Sequence, residues 1–335
     1  MNTIISAARL KPNGLHLGHY LGNFSTRMNS NIDVNIPYFF VIEDLFPSSL
    51  YKKQKLDADS LALIKDVLSL SILHNYDVKI VFLSDIIKYN SVINSILYEY
   101  ININHLRGIH PKRNYLRNSF DNIELSEFMF IVFEVFYILS LNARFVFMND
   151  DNITYVNYAR KVAKRINNSI GEVFVLPYLE TGIFPRLKGT DGERMSKSRN
   201  NEISLSDSPD TVKVKLDKLF ASHKAMKYVR IDTNGYYRHP CHSISNEFIP
   251  FQYLDTFSNC NSTETKDAFN QGKINISDLK NILLIDILKF IASVEKVRKG
   301  EKYTENSINS KLEESLFFAM DIIKSNENKI LNIIQ

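Results

Sequence analysis

Apolar residues along this chain keep two rhythms. Short, nearly continuous runs occur at Thr3 to Ala8, within Asn35 to Asp44, at Val78 to Leu83 and at Phe145 to Met148. Runs of this length, rich in Ile, Val and Phe, suit strands buried on both faces. Between them, apolar positions recur every three or four residues. Leu61, Ile64, Leu68 and Ile72 mark a helix over 56–73, Leu17, Tyr20 and Leu21 begin one near His16, and another spans 153–167. Strand and helix alternating in this way predict an α/β protein with a doubly wound, parallel, Rossmann-like sheet. From 91 to 140 the period is helical, broken near Pro111 and Asn114, which predicts a helical insertion. Glu172 to Leu176 reads as one more strand. Beyond Ser208 the chain reads as helices at Pro209 to Phe220, Ser277 to Val297 and Lys311 to Ile333. The expected organisation is a Rossmann-like domain over 1–200, with its insertion at about 85–144, and an all-helical domain over 201–335.

Candidate chemistry begins where the first strand ends. Pro12, Asn13 and Gly14 punctuate a turn before the first helix. Strand, Gly-containing turn and helix start is the order in which α/β proteins aim backbone N–H groups at a phosphate. His16 and His19 sit three apart, on one helix face, and Gly18 leaves room beside the backbone. Taken alone, the stretch equally suits an ordinary first helix with two surface histidines. A second stretch, Asp191-Gly192-Glu193-Arg194-Met195-Ser196-Lys197-Ser198, is small, polar and basic, as a phosphate-handling loop or a solvated turn would be. Asp151 follows the strand at Phe145 to Met148, at the end of a parallel sheet where ligands bind; it also suits an N-cap for the helix from Ile153.

Together, His16-Leu17-Gly18-His19 and Arg194-Met195-Ser196-Lys197-Ser198 resemble the two signatures of class I aminoacyl-tRNA synthetases, with Arg in place of the second signature's leading Lys. The likeness is closest to bacterial tryptophanyl-tRNA synthetases. It extends through Pro12 to Gly22, Ile203-Ser204-Leu205-Ser206-Asp207-Ser208-Pro209, the segment from Asp151 through Tyr155 to Arg160, and Gly171 to Val175.

The resemblance implies ATP-dependent activation of an amino acid and transfer to tRNA. It assigns His16, His19, Lys197 and Arg194 to the phosphates. Asn13, Gly14, Gly18, Asn23, Asp151, Leu187, Met195, Ser196 and Ser198 would form the rest of the ATP site, with Mg²⁺ on the nucleotide. It also implies a homodimer, and a helical domain that receives the tRNA. The family's amino-acid pocket falls on Ile5, Ala7, Phe46, Glu134, Tyr137, Val146 and Met148, and here the chain departs from the pattern. Tyr137 stands where the family has an indole-binding Asp, Glu134 where it has a Met, and Phe46 where it has a His. Losing that Asp leaves a buried indole N–H without an acceptor, at a cost of about 1–3 kcal/mol. The true amino acid is therefore expected to differ from tryptophan. A paralogue loading a biosynthetic acceptor, and a catalytically silent nucleotide- or RNA-binding paralogue, remain alternatives.

Composition adds bounds. The 335 residues, 44% hydrophobic and 23% charged, suit a soluble globular chain long enough for a large core and for two domains. A net charge of +4 permits a nucleic-acid partner without requiring one. Two cysteines, Cys241 and Cys260, make no disulfide framework, and no apolar run is long enough to cross a membrane, so a reduced cytoplasmic setting is expected. His239, Cys241, His242 and Cys260 fit no common zinc spacing, and no metal site is predicted. Tyr236, Tyr237, Arg238 and His239 could serve RNA, but core packing and a solvated rim account for them as well.

Overall fold

The structure is a computed structural model that describes residues 1–45, 56–111, 125–181, 187–222, 230–231, 237–238, 248–258, 262–300 and 303–334. Phe46, Asn114, Tyr236, His239, Cys241, His242 and Cys260 lie outside them.

Five strands, β1 (Thr3–Arg9), β2 (Tyr38–Glu43), β3 (Val78–Phe82), β4 (Ala143–Phe147) and β5 (Tyr178–Glu180), form one parallel sheet in the order β3-β2-β1-β4-β5. The order reverses direction between β1 and β4, and the carboxyl ends of that pair frame the crevice in which such sheets bind ligands. Strand β2 is buried over its whole length, as its unbroken apolar run predicts.

Helix α1 (Leu17–His19) starts where expected and runs through a π-helical stretch, Tyr20–Ser25, into α2 (Thr26–Asn29). Helix α3 (Ala58–Leu73) is capped by Asp57, whose side chain accepts the Ser60 N–H. The insertion supplies α4 (Leu83–Lys88), α5 (Ser91–Tyr100), α6 (Ile103–Ile109) and α7 (Ser126–Ser140). Helix α8 (Ile153–Ile170) returns the chain to β5. The carboxy-terminal part contains α9 (Pro209–Ala221), α10 (Ile249–Phe257), α11 (Ser262–Asn270), α12 (Ile276–Arg298) and α13 (Glu305–Ile334). Between α9 and α10 the two-residue strands Arg230–Ile231 and Tyr237–Arg238 pair antiparallel, a small departure from an all-helical tail.

The core has two faces. On one, Ile4, Phe40 and Ile80 of the sheet join Leu63 and Val67 of α3 and Leu279, Leu283 and Ile287 of α12. On the other, Ile5, Phe39, Val41 and Val146 meet Val135 of α7, Ala159 of α8 and Ile322 and Ile323 of α13. The two long carboxy-terminal helices thus share their apolar faces with the two sides of the sheet.

One expected strand is displaced. Residues 172–176 are a loop in which Val173 and Phe174 are buried, and the strand is 178–180. Two amide side chains replace the missing ladder. Asn167 Oδ1 accepts the N–H groups of Val173 (3.1 Å) and Phe174 (2.9 Å), and its Nδ2 donates to the Phe174 carbonyl (2.7 Å). Asn142 Oδ1 accepts from Val175 N (3.1 Å). Val173 and Phe174 are buried, so the apolar run is a core plug with its backbone satisfied from outside the sheet.

Candidate active site

The turn after β1 is built for close approach. Asn13 (φ 65°) and Gly14 (φ 58°) both take left-handed backbone conformations. A Cβ on Gly14 would lie 2.2 Å from Asp66 Oδ2, so glycine is required on steric grounds as well. That buried carboxylate of α3 accepts the Leu15 N–H at 2.7 Å. It also pairs with Arg298, from the last turn of α12, which reaches the Leu205 carbonyl at 3.3 Å. Burial raises the Asp66 carboxyl to about 6, with Arg298 pulling the other way.

Downstream of the second signature, the chain is zipped to this turn. Leu17 N donates to the Ile203 carbonyl (2.9 Å), Leu205 N to the Leu15 carbonyl (3.0 Å), and Ser204 Oγ to the Asn13 carbonyl (2.9 Å). The two stretches thereby form one unit, although they lie far apart in sequence.

His16 caps α1 and His19 occupies its third position. Each ring's Nδ1 accepts the other residue's backbone N–H at 3.3 Å, a reciprocal capping box closed by imidazoles. The rings stack at 3.7 Å between centroids. Burial, followed by nearby cations, lowers the His19 imidazole to about 3 and holds His16 well below its ordinary value. Both rings are therefore neutral, and with Nδ1 accepting, each proton sits on Nε2. The pair offers two hydrogen-bond donors without net charge. Gly18 makes room for the stack, since a Cβ there would lie 3.0 Å from the His16 ring; its N–H faces Met195 Sδ at 3.3 Å.

The second signature folds over this pair. Asn201 holds its shape: Oδ1 accepts Ser196 N (2.7 Å), while Nδ2 donates to Asp191 (2.6 Å) and to the Arg194 carbonyl (2.8 Å). Lys197 Nζ donates to the carbonyls of Pro12 and Gly14, and burial lowers its ammonium to about 8. Arg194 forms an ion pair with Asp151 across the crevice. Asp151 lies in a 3₁₀ turn and the N-cap position of α8 belongs to Asn152, so its carboxylate is free of a capping role.

A cavity of about 480 Å³ runs between the signatures and continues past Asn23, Ala7 and Met148 to an acidic floor. Ser196 and Ser198 stand at its rim. Leu187, Ile5 and Val146 are fully packed and lie behind the walls; Ile5 and Val146 are direct partners in the sheet. Tyr137 is also buried behind the floor. Its hydroxyl stands 2.9 Å from Glu134 Oε2 and 3.3 Å from Glu43 Oε1, joining two carboxylates that both face the cavity. Burial, then repulsion from Glu43, raises the Glu134 carboxyl to about 8. Arg9 approaches Glu43 at 3.8 Å and lies over the Phe130 ring.

Sequence reading picks out His16, His19, Arg194 and Lys197, which line one cavity, and misses Glu43, Arg9, Asp66, Asn201 and Arg298. Glu43 carries a legible signal, a carboxylate at the carboxyl end of a central parallel strand. Asn201 and Arg298 carry none, because their partners are set by tertiary packing. Among the described residues, no group of three or more His, Cys, Asp or Glu could hold a metal, and no helix is long and apolar enough to cross a membrane.

Comparison with known proteins points the same way. The family described as tRNA synthetases class I (W and Y) matches residues 12–288. The tryptophan–tRNA ligase of Treponema pallidum is 28% identical over 300 residues, covering 86% of this chain and 84% of its own. That of Chlamydia caviae is 26% identical over 300 residues, covering 86% and 83%. Among solved structures, tryptophanyl-tRNA synthetase from Mycoplasma pneumoniae superposes with a TM-score of 0.77 at 16% identity, covering 100% of this chain and 98% of that one. The Campylobacter jejuni enzyme, complexed with ADP and tryptophan, gives 0.73 at 20% identity with 99% of each chain covered.

Proposed function

Because this chain belongs to the class I tRNA synthetases of the tryptophanyl and tyrosyl group, and is thus an ATP-dependent aminoacyl-tRNA ligase by type, we propose that it activates an amino acid other than tryptophan and passes it to the 3′ end of a tRNA. A carboxylate oxygen of the amino acid attacks the α-phosphorus of ATP, the bond to the β-phosphate breaks, and pyrophosphate leaves. A terminal hydroxyl of the RNA then attacks the acyl carbon and AMP departs.

The observation that carries this reading is the convergence of both signatures on one cavity, with neutral histidines and a long-stemmed cation on its phosphate side. Little covalent work falls to the protein, so catalysis is positioning plus stabilisation of moving charge. His16 and His19 donate Nε2–H groups to phosphate oxygens and hold no charge that would lock the ground state. Lys197 exchanges the Pro12 and Gly14 carbonyls for the departing β- and γ-phosphates. Asp151 meets the ribose hydroxyls once Arg194 lets it go, and Arg194 then assists at the phosphates. Mg²⁺, when bound with the nucleotide, would offset phosphate charge; among the described residues no cluster of three or more His, Cys, Asp or Glu would hold it.

The departure from tryptophan rests on Glu134 and Tyr137. An indole ring set against the Glu134 carboxyl leaves that group's polarity unanswered, whereas a polar side chain answers it. A homodimer acting in the cytoplasm, with 201–335 contributing the RNA contacts, completes the reading. Exchange of labelled pyrophosphate into ATP, screened over all amino acids, tests it. Exchange that depends on one polar amino acid supports the proposal, exchange with tryptophan alone defeats the specificity, and no exchange with any amino acid defeats activation itself.

A further inference from the structure

Among the described residues, the cavity floor holds more acid than its neighbours neutralise. Glu43, at the end of β2, and Glu134, on α7, are each only 5% exposed, and both face the crevice that holds the signatures. They come from different elements, and Tyr137 joins them from behind. A tyrosine hydroxyl has one proton to give. With two carboxyl groups within hydrogen-bonding distance of it, the chain of bonds closes when Glu134 is itself protonated and donates to Tyr137, which donates on to Glu43. A proton on Glu134 thus does what a nearby cation would do.

The groups around Glu134 show why a cation fits there. From its own helix comes Tyr137; from β2, Glu43; from β1, Arg9; from the turn after β4, Asp151; and from α8, Tyr155. Arg194 already answers Asp151. Arg9 answers Glu43, and it does so from the mouth, with a side chain 47% exposed. Among the described residues Glu134 forms no ion pair. Among the described residues around Glu134, three carboxylates thus meet two cations, while Lys11 and Lys197 line the same cavity beside the histidine pair. An ionised carboxylate left buried without a partner is costly, so it either keeps its proton or receives a positive group.

We infer that this floor selects an amino acid whose side chain ends in an amine or guanidinium, with Glu134 and Glu43 as its specificity-determining carboxylates. The inference rests on the activation reading above and names the substrate class of that site. Binding replaces the proton shared through Tyr137 by the substrate's cation. Affinity for such a substrate then rises with pH as the Glu134 carboxyl, raised to about 8 by burial and by Glu43, gives up its proton. A neutral side chain shows no such rise. The opposing possibility is that the two carboxylates hold the α-ammonium group, which every amino acid has and which cannot discriminate.

The test uses the full-length protein and a panel of lysine, ornithine, arginine, norleucine and tryptophan, read both by pyrophosphate exchange and by calorimetric binding. Norleucine matches lysine in its aliphatic chain and lacks the cation. The expected result is a kcat/KM for one basic amino acid at least about 100-fold above norleucine, in line with the discrimination available to polar recognition. Its KM should fall between about pH 6.5 and 8.5, the range over which a carboxyl near 8 ionises. Glu134→Gln should collapse the ratio of basic amino acid to norleucine, and Glu134→Asp should restore part of it. The wild-type panel stands even if a variant fails to fold. Norleucine equal to lysine, or tryptophan ahead of both, overturns the inference. Binding of a basic amino acid without exchange keeps the inference and sinks activation; neither binding nor exchange with any basic amino acid sinks the inference.

Discussion

Lys197 holds the carbonyls of Pro12 and Gly14, and the same ammonium is the group best placed to follow a leaving pyrophosphate. In the activation proposed above, its charge acts mainly in the transition state. Lys197→Ala is therefore expected to slow single-turnover adenylate formation by about 10²–10³-fold, or about 2.7–4 kcal/mol, with the amino-acid Kd nearly unchanged. Since the ammonium sits at about 8, kcat/KM for ATP should fall as pH rises through that value. The neutral histidines yield a stability prediction. His19 lies at about 3 in the folded chain and near 6.5 when unfolded. A lowered base contributes stability that is intact above 6.5 and is lost as pH falls from there toward 3, because the unfolded chain takes up a proton the folded one refuses. The loss is about 1.4 kcal/mol per pH unit for one such group. Denaturant melts at pH 7, 6 and 5 should show a shallower pH slope for His19→Asn than for wild type, by about that amount. Equal slopes would mean the ring is protonated in the folded site.

At the scale of elements, the site depends on a helix that never touches the cavity. Helix α12 sends Arg298 to Asp66 and to the Leu205 carbonyl, so one guanidinium holds the support of the first turn and the tail of the second signature together. Removing it leaves a buried carboxylate without its cation. Arg298→Ala should cost about 3 kcal/mol in denaturant stability, within the range for breaking a buried pair, and should raise KM for ATP as the turn loosens. Arg298→Lys, which restores the charge without the fork, should recover part of both. A stability loss with KM unchanged would make the pairing purely structural. The same helix shows where sequence reading succeeds and fails. Its long apolar period makes α12 legible, as unbroken Ile, Val and Phe runs do for β1 to β4. Residues 172–176 mislead because Asn167 and Asn142 satisfy their backbone from a distance, a solution that periodicity cannot encode. Helices α10 and α11 are not legible in the apolar pattern; α10 is short and opens with Pro250 in its first turn. At the site, motif spacing singles out His16, His19, Arg194 and Lys197, which line one cavity, whereas the acid pair assembles from β2 and α7 and needs the fold to bring Glu43 to Glu134.

At the scale of the whole molecule, packing and charge bear on the RNA. The carboxy-terminal helices α12 and α13 bury their apolar faces on opposite sides of the sheet. The net charge of +4 is small, but its placement is uneven. Helix α8 carries Lys161, Lys164 and Arg165 on its exposed face. Beside them Arg160 and Arg144 lie over the Tyr178 ring at 3.9 and 4.7 Å, and Arg165 lies over Tyr100 at 5.6 Å. Cations held beside aromatic rings here suit a phosphate backbone as a second contact beside those proposed for 201–335, and they would release its counterions on binding. If the chain loads tRNA, log Kd should therefore change linearly and steeply with log salt in filter binding. Replacing Lys161, Lys164 and Arg165 by Gln should weaken binding across tRNA sequences and reduce the salt slope by about one for each phosphate set free. Amino-acid-dependent pyrophosphate exchange should persist in that variant, because the face lies outside the cavity. An unchanged slope leaves the RNA contacts to 201–335 alone. Exchange without tRNA affinity even at low salt would reassign the acceptor to a smaller molecule and retain the activation chemistry.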